Sequence, residues 1–154
     1  VKAMKYFLLA LLIVISCSSV IAHITQDQVK DLLRLAEQGN GKAQYVLGAI
    51  YYAGKGVKKD YKKAVKWTRL AAEQGNSKGQ YNLGTLYLNG RGVRKDYIKA
   101  YMWFSLSGMQ GDKAAIKERD RIQRQLNPME LKKAQQLANH WKLKKKTHVT
   151  PAEK

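Results

Sequence analysis

A chain of 154 residues is sized for one domain or one short repeat array, and with 45% apolar residues it can bury a core without disulfides or metal. Lysine and arginine number 29 against 11 aspartates and glutamates, a formal net charge of +18. That imbalance points to an acidic counterpart, such as nucleic acid, an anionic membrane or polysaccharide surface, or an acidic protein, and carries no information about fold.

The first segment does not read as part of a folded body. Lys2 and Lys5 flank Met4, an apolar run follows from Tyr6 to Ile15, then Ser16 to Ser19, and then Val20, Ile21 and Ala22. A basic start, a short apolar stretch and a small residue at the end form the pattern of a secretory signal peptide, here residues 1–22 with cleavage after Ala22. The run is shorter than the roughly 20 apolar residues that a membrane-spanning helix needs. Val14, Ile15, Ser16 and Cys17 also fit a loose lipobox, in which Cys17 would be acylated and would anchor the chain. Against that, the run before Cys17 is short and Val20 to Ile24 are still largely apolar. The expectation is an exported chain, periplasmic or secreted, with no transmembrane span in its mature part. Removal of Lys2 and Lys5 would lower the net charge from +18 to +16.

Thr25 to Gln38 reads as an amphipathic helix with Val29, Leu32, Leu33 and Ala36 on one side and Thr25 and Gln28 at capping-box spacing. It suits the second helix of an incomplete leading repeat, residues 23–39. From Ala36 the chain then repeats itself. AEQGNGKAQYVLGAIYYAGKGVKKDYKKAVKWTRLA is followed, from Ala72, by AEQGNSKGQYNLGTLYLNGRGVRKDYIKAYMWFSLS, an ungapped offset of 36 with 21 of 36 positions identical. The units run over 40–75 and 76–111. In each, one helix carries apolar residues at helical spacing (Ala43, Leu47, Ile50, Tyr51) and stops at a glycine, Gly54 or Gly90. A Gly-x-Gly-Val loop follows, and Asp60 or Asp96 caps a second helix. A third copy begins at Gln110 and Gly111 and then diverges, without the glycine loop. Ala115, Ile116, Ile122 and Leu126 mark its first helix. Asn127-Pro128-Met129-Glu130 restarts a last helix reaching about Lys142, so residues 112–142 read as a degenerate capping repeat. Residues 143–154 are basic and poor in apolar side chains, and are expected to be a disordered tail.

One helix pair cannot bury its apolar face alone, and stacking on its neighbour does so. The expected fold is therefore all-α: a right-handed α-solenoid of about seven helices. The string A-x-Q-Y-x-L-G-x-x-Y-x-x-G-x-G-V, then D-Y-x-K-A-x-x-W, then A-A-E-Q-G-N, resembles the Sel1-like repeat family, a relative of the tetratricopeptide repeats. The likeness is strong over residues 36–111 and loose over about 25–142. It implies an α-solenoid and, usually, a non-catalytic adaptor that scaffolds protein complexes. Exported bacterial members are similar to proteins of envelope function, signalling or host contact. Secreted relatives with a disulfide in each repeat differ from this chain, whose part beyond residue 22 has no cysteine.

Catalytic and cofactor chemistry finds little support. Gly54-x-Gly56 and Gly90-x-Gly92 lack the preceding strand and third glycine of a dinucleotide fingerprint and read as turns. Asp60 and Asp96 occupy equivalent helix starts with no second carboxylate in their loops, which capping explains. His23, His140 and His148 have no metal-ligand spacing, no serine lies in a nucleophile motif, and no cofactor or metal is expected. Trp67 and Trp103 recur at the repeat period, as packing residues do.

The recurring cations are more informative. Lys55 and Arg91, Lys58 and Arg94, Lys59 and Lys95, and Lys63 and Lys99 match at the offset and should form a basic ridge along one edge. That ridge is either a solvated face or a docking surface for an acidic partner, weakened by salt. By analogy with the tetratricopeptide groove, the first helices line a concave face through Lys42, Tyr45, Ala49, Tyr52, Lys78, Tyr81, Thr85, Leu88 and Asn89. Tyrosine suits such a groove, with contact area and a polar tip, but Tyr45 and Tyr81 suit packing between repeats equally well. The function expected is an envelope or secreted adaptor that binds an acidic or peptide-like protein partner in the groove and along the basic edge. The alternative is a binder of anionic lipid or polysaccharide at the envelope surface. Basic residues do not alternate with exposed aromatics in the way base stacking requires, which disfavours nucleic acid.

Overall fold

In the computed structural model, which describes residues 24–147, seven helices and no strand occur among the described residues. They are α1 (Gln26–Glu37), α2 (Gly41–Ala53), α3 (Tyr61–Glu73), α4 (Ser77–Asn89), α5 (Tyr97–Gly108), α6 (Lys113–Gln123) and α7 (Pro128–Thr147). The signal-peptide reading, Cys17 and the last residues of the expected tail lie outside this span. None of the described helices is long and apolar enough to cross a membrane.

Local chemistry sets where each helix begins and ends. Asn40, Asn76 and Asp112 stand 36 residues apart, and each side chain accepts a backbone N–H of the first turn it precedes: Ala43 at 3.0 Å, Gly79 at 2.9 Å, and Ala114 and Ala115 at 3.0 and 3.1 Å. Asp60 and Asp96 do the same for α3 and α5, through Lys63 N–H at 3.0 Å and Lys99 N–H at 2.9 Å. Helices α2 and α4 end at Gly54 and Gly90, both left-handed with φ of 72° and 65°, where a side chain would be strained. Thr25–Gln28 and Asn127–Glu130 form reciprocal capping boxes at the starts of α1 and α7.

Consecutive helices pack as antiparallel pairs stacked in series, an α-solenoid. Within the first pair, Gly48 of α2 lies directly against Thr68 of α3, and within the second, Gly84 of α4 lies against the Phe104 ring of α5. Between pairs, Gly79 of α4 seats on Ala71 and Ala72 of α3. The apolar interior falls into two clusters. One joins α1 to the first pair through Val29, Ala36, Leu47 and Trp67. The other holds Leu83, Phe104, Ile122, Ala134 and Ala138.

Helix α5 is buried continuously from Ala100 to Ser107 because α4 covers one side and both α6 and α7 pack against it on the other. Trp103 meets Trp141 of α7 edge to face, with ring centroids 5.1 Å apart. Helix α7 continues past Lys142 to Thr147, so residues 143–147 of the expected tail are helical. Lys, Leu and Lys are good helix formers, and no proline follows until Pro151.

Buried amides tie the repeats together, a feature that pattern reading missed. Gln44 and Gln80 are each 3% exposed. Gln44 donates to the Ala36 carbonyl at 3.0 Å and accepts from the Gln74 amide at 2.9 Å. One repeat on, Gln80 donates to the Ala72 carbonyl at 3.2 Å and accepts from Gln110 at 2.8 Å. The signal was present in the identical Gln-Tyr pairs, but polar identity at a buried position does not register as hydrophobic periodicity.

Candidate functional site

Helices α2 and α4, the first members of adjacent pairs, flank a cavity of about 460 Å³. Apolar atoms dominate its lining. Small residues on α2, namely Gly48, Ala49 and Ala53, open the space, Thr68 of α3 lies at its base, and Ile24 and Lys55 stand at one end. Tyr45, Tyr52, Tyr81 and Thr85 all line it.

Neighbours hold the aromatic walls in place. The Tyr81 ring tilts onto Phe104 with centroids 5.5 Å apart, and Tyr52 meets Tyr61 edge to face at the same separation. Tyr81 therefore both packs on the core and faces the groove. The Thr85 hydroxyl donates to the Tyr81 carbonyl at 3.1 Å, so its donor is already satisfied within the wall.

The other expected groove residues lie beyond the ends of the cavity, which spans Tyr45 to Ala53 on α2 and Tyr81 to Leu86 on α4. Lys42 and Lys78 sit exposed in the first turns of those helices. Leu88 is half-buried against the core and Asn89 is exposed at the last position of α4. Asn82, Val46 and Ile24 line the cavity without having been expected to. Helical spacing orders residues around a helix, whereas the length of a groove depends on where two separate helices diverge.

The matched cations divide into two groups. Lys55 reaches the end of the groove. Its counterpart Arg91 crosses to the preceding repeat, where its guanidinium lies 5.3 Å from the Tyr52 ring centroid and 5.6 Å from that of Tyr61, and it donates to the Tyr52 hydroxyl. Lys58, Lys59 and Lys63, and one repeat on Arg94, Lys95 and Lys99, instead surround hollows beside the starts of α3 and α5. What reads in sequence as one ridge is thus an inter-repeat clasp plus two basic hollows. Among the described residues, no cluster of three metal-ligating side chains occurs.

The family model described as Sel1 repeat matches residues 41–76 and 77–112. This chain carries two Sel1 repeats. The two matched units keep the 36-residue period and begin one residue later than the sequence parse, at the first residues of α2 and α4. A crystal structure of a protective antigen present in uropathogenic Escherichia coli strains, displaying an SLR fold, is similar to the Sel1-repeat chain. The two are 30% identical with a TM-score of 0.73, over 82% of this chain and 29% of that one. A Sel1 repeat protein from Oxalobacter formigenes is 38% identical with a TM-score of 0.58, over 60% of this chain and 38% of that one. The chain spans less than two fifths of the length of either. No curated protein matches it. Folds of this kind commonly serve protein–protein interaction.

Proposed function

We propose that this Sel1-repeat chain is a non-enzymatic adaptor that holds a segment of a protein partner in the groove between α2 and α4, outside the cytoplasm. The groove itself carries the reading: a preformed, mainly apolar cavity of about 460 Å³ whose tyrosine walls are fixed by Phe104 and Tyr61. Rigid aromatic walls lose little side-chain entropy on binding and present contact area with polar tips, which suits a peptide better than a small polar substrate. The periplasmic or secreted location rests on the pattern of residues 1–22.

Selection of a displayed peptide library on the immobilised protein tests the groove. Recovered peptides should carry apolar side chains and should lose binding at least about tenfold to Ala49→Trp, whose indole fills the cavity without disturbing the buried face of α2. Selected peptides that bind Ala49→Trp as tightly as the parent would refute groove binding. Mass measurement of protein recovered from the host tests the location. A chain starting at His23 supports cleavage after Ala22, and an acylated Cys17 replaces soluble export with an anchored form.

A further inference from the structure

Two surface hollows remain that the groove does not use. One, of about 420 Å³, lies beside the start of α3 and is lined by Tyr51, Val57, Lys58, Lys59, Asp60 and Lys63, with Gln26 at its edge. The other, of about 610 Å³, lies beside the start of α5 and carries the residues one repeat on: Tyr87, Val93, Arg94, Lys95, Asp96 and Lys99. All six positions correspond at the 36-residue offset. Arg69, Tyr97, Ile98, Leu126 and Glu130 also border the second.

Their chemistry matches as well as their position. Tyrosine and valine form an apolar wall in each. The Lys63 ammonium stands 5.2 Å from the Tyr51 ring centroid, and that of Lys99 stands 5.4 Å from Tyr87. Each aspartate accepts an N–H of the helix it caps through one carboxylate oxygen, and the other oxygen of Asp96 also pairs with the Lys99 ammonium at 3.5 Å. Three lysines face one aspartate in the first hollow. Arg69, Arg94, Lys95 and Lys99 face Asp96 and Glu130 in the second. Both hollows therefore hold the same excess of two positive charges.

We infer that the two hollows are equivalent subsites for one acidic peptide segment, which runs along this edge and places a carboxylate cluster in each. This rests on the reading of the chain as a protein binder and names the class of segment it takes outside the groove. Charge complementarity calls for an anion. The aspartate and tyrosine beside the cations narrow the choice, because each hollow offers acceptors as well as donors. A peptide brings carboxylates and N–H donors together. A polyphosphate or a lipid surface brings uniform negative charge against Asp60 and Asp96. The valine and tyrosine wall accepts the methylenes of a glutamate or an adjacent apolar side chain.

One exposed, screened subsite binds weakly. Filling both with a single chain makes the second contact intramolecular and raises affinity by about 100-fold. Helices α3 and α5 both pack on α4 rather than on each other, so two packed-helix spacings bound the separation of the subsites at roughly 20 Å, about six residues of extended peptide.

Fluorescence anisotropy with synthetic peptides tests this on the folded chain. One probe carries a single Glu-Glu pair, and the other two such pairs separated by six Gly/Ser residues. The two-pair probe should bind at least about tenfold more tightly, and its affinity should fall as salt rises. Lys58→Glu with Lys59→Glu, and separately Arg94→Glu with Lys95→Glu, should each reduce two-pair binding to the one-pair level, and to a similar extent. The neutral pair Lys58→Gln with Lys59→Gln should do so in part, and far-UV circular dichroism establishes that each variant is folded. Equal binding of the two probes overturns the inference. So does a reversal in either hollow that has no effect, or tighter binding to phosphatidylglycerol vesicles or polyphosphate than to the two-pair peptide. Ala49→Trp should leave acidic-peptide binding unchanged. If acidic peptides fail while groove-selected peptides still bind, only the hollows lose their role and the adaptor reading stands.

Discussion

Alanine at position 48 should loosen the first repeat. Gly48 lies mid-way along α2, and a Cβ there would stand 3.1 Å from the Thr68 backbone nitrogen and 3.3 Å from its Cβ, with Oγ1 nearer still. Two effects oppose each other. Replacing glycine by alanine inside a helix favours folding by roughly 0.8–1 kcal/mol. Against it, Thr68 is 1% exposed although it borders the groove, and its branched side chain is stiff about χ1, so turning the hydroxyl aside is costly. Helices α2 and α3 must then separate, and overpacking of that kind costs about 2–3 kcal/mol, the upper part of the usual range. The net is a loss of about 1–2 kcal/mol, or roughly 2–8 °C in Tm for a chain of this size. Thermal and urea unfolding followed by far-UV circular dichroism read it directly. Thr68→Ala added to Gly48→Ala removes the nearest atom and should recover about half the loss. Gly84→Ala faces the Phe104 ring at 3.0–3.1 Å and should stay within about 1 kcal/mol of the parent. A Gly48→Ala chain that melts at or above the parent temperature would refute the close approach of α2 and α3.

Gln44→Leu and Gln80→Leu should each cost about 1–3 kcal/mol in urea unfolding, since each strands a buried carbonyl and a neighbouring amide; losses differing by more than about 1.5 kcal/mol would contradict equivalent junctions. Trp103→Ala should cost about 3–5 kcal/mol and release α7 to limited proteolysis, and an α7 still protected would show that Trp141 does not depend on this contact. Arg91→Ala should lower stability by about 0.5–1 kcal/mol, and Lys55→Ala, which stacks on no ring among the described residues, by less than about 0.5 kcal/mol; equal losses would remove the clasp.

The parts of this fold that depend on neighbours in sequence were legible without coordinates. Gly54 and Gly90 end their helices, and Asp60, Asp96 and Asn127 start theirs, because a left-handed glycine and a capping side chain act within one turn. Tyr45 and Tyr52 stand seven residues apart, two turns along one face of α2, and that shared face was readable from helical spacing. The limits of the cavity were not. They depend on the spacing of α2 and α4, which Gly48, Gly79 and Gly84 set through contacts with other helices. Nor was the division of the cations legible. Lys55 and Arg91 look equivalent in the repeat, yet only Arg91 has a pair of tyrosine rings in the preceding repeat to lie upon. The end of α7 was misplaced because low apolar content suggested a tail, whereas helix propensity carries the backbone on to Thr147.

The glutamine contacts also bear on how such a chain can change length. The bond from Gln44 to the Ala36 carbonyl recurs as that from Gln80 to the Ala72 carbonyl, so each junction is sealed by a glutamine and a carbonyl that every full unit carries for itself. A duplicated copy of residues 41–76, spliced in after Asn76, would arrive with its own half of the seal on both sides. Its stability should grow roughly in proportion to the number of such seals, as in a chain of coupled units. The array can thus lengthen by whole modules without redesign of any interface, and each added module would extend the groove by one more wall.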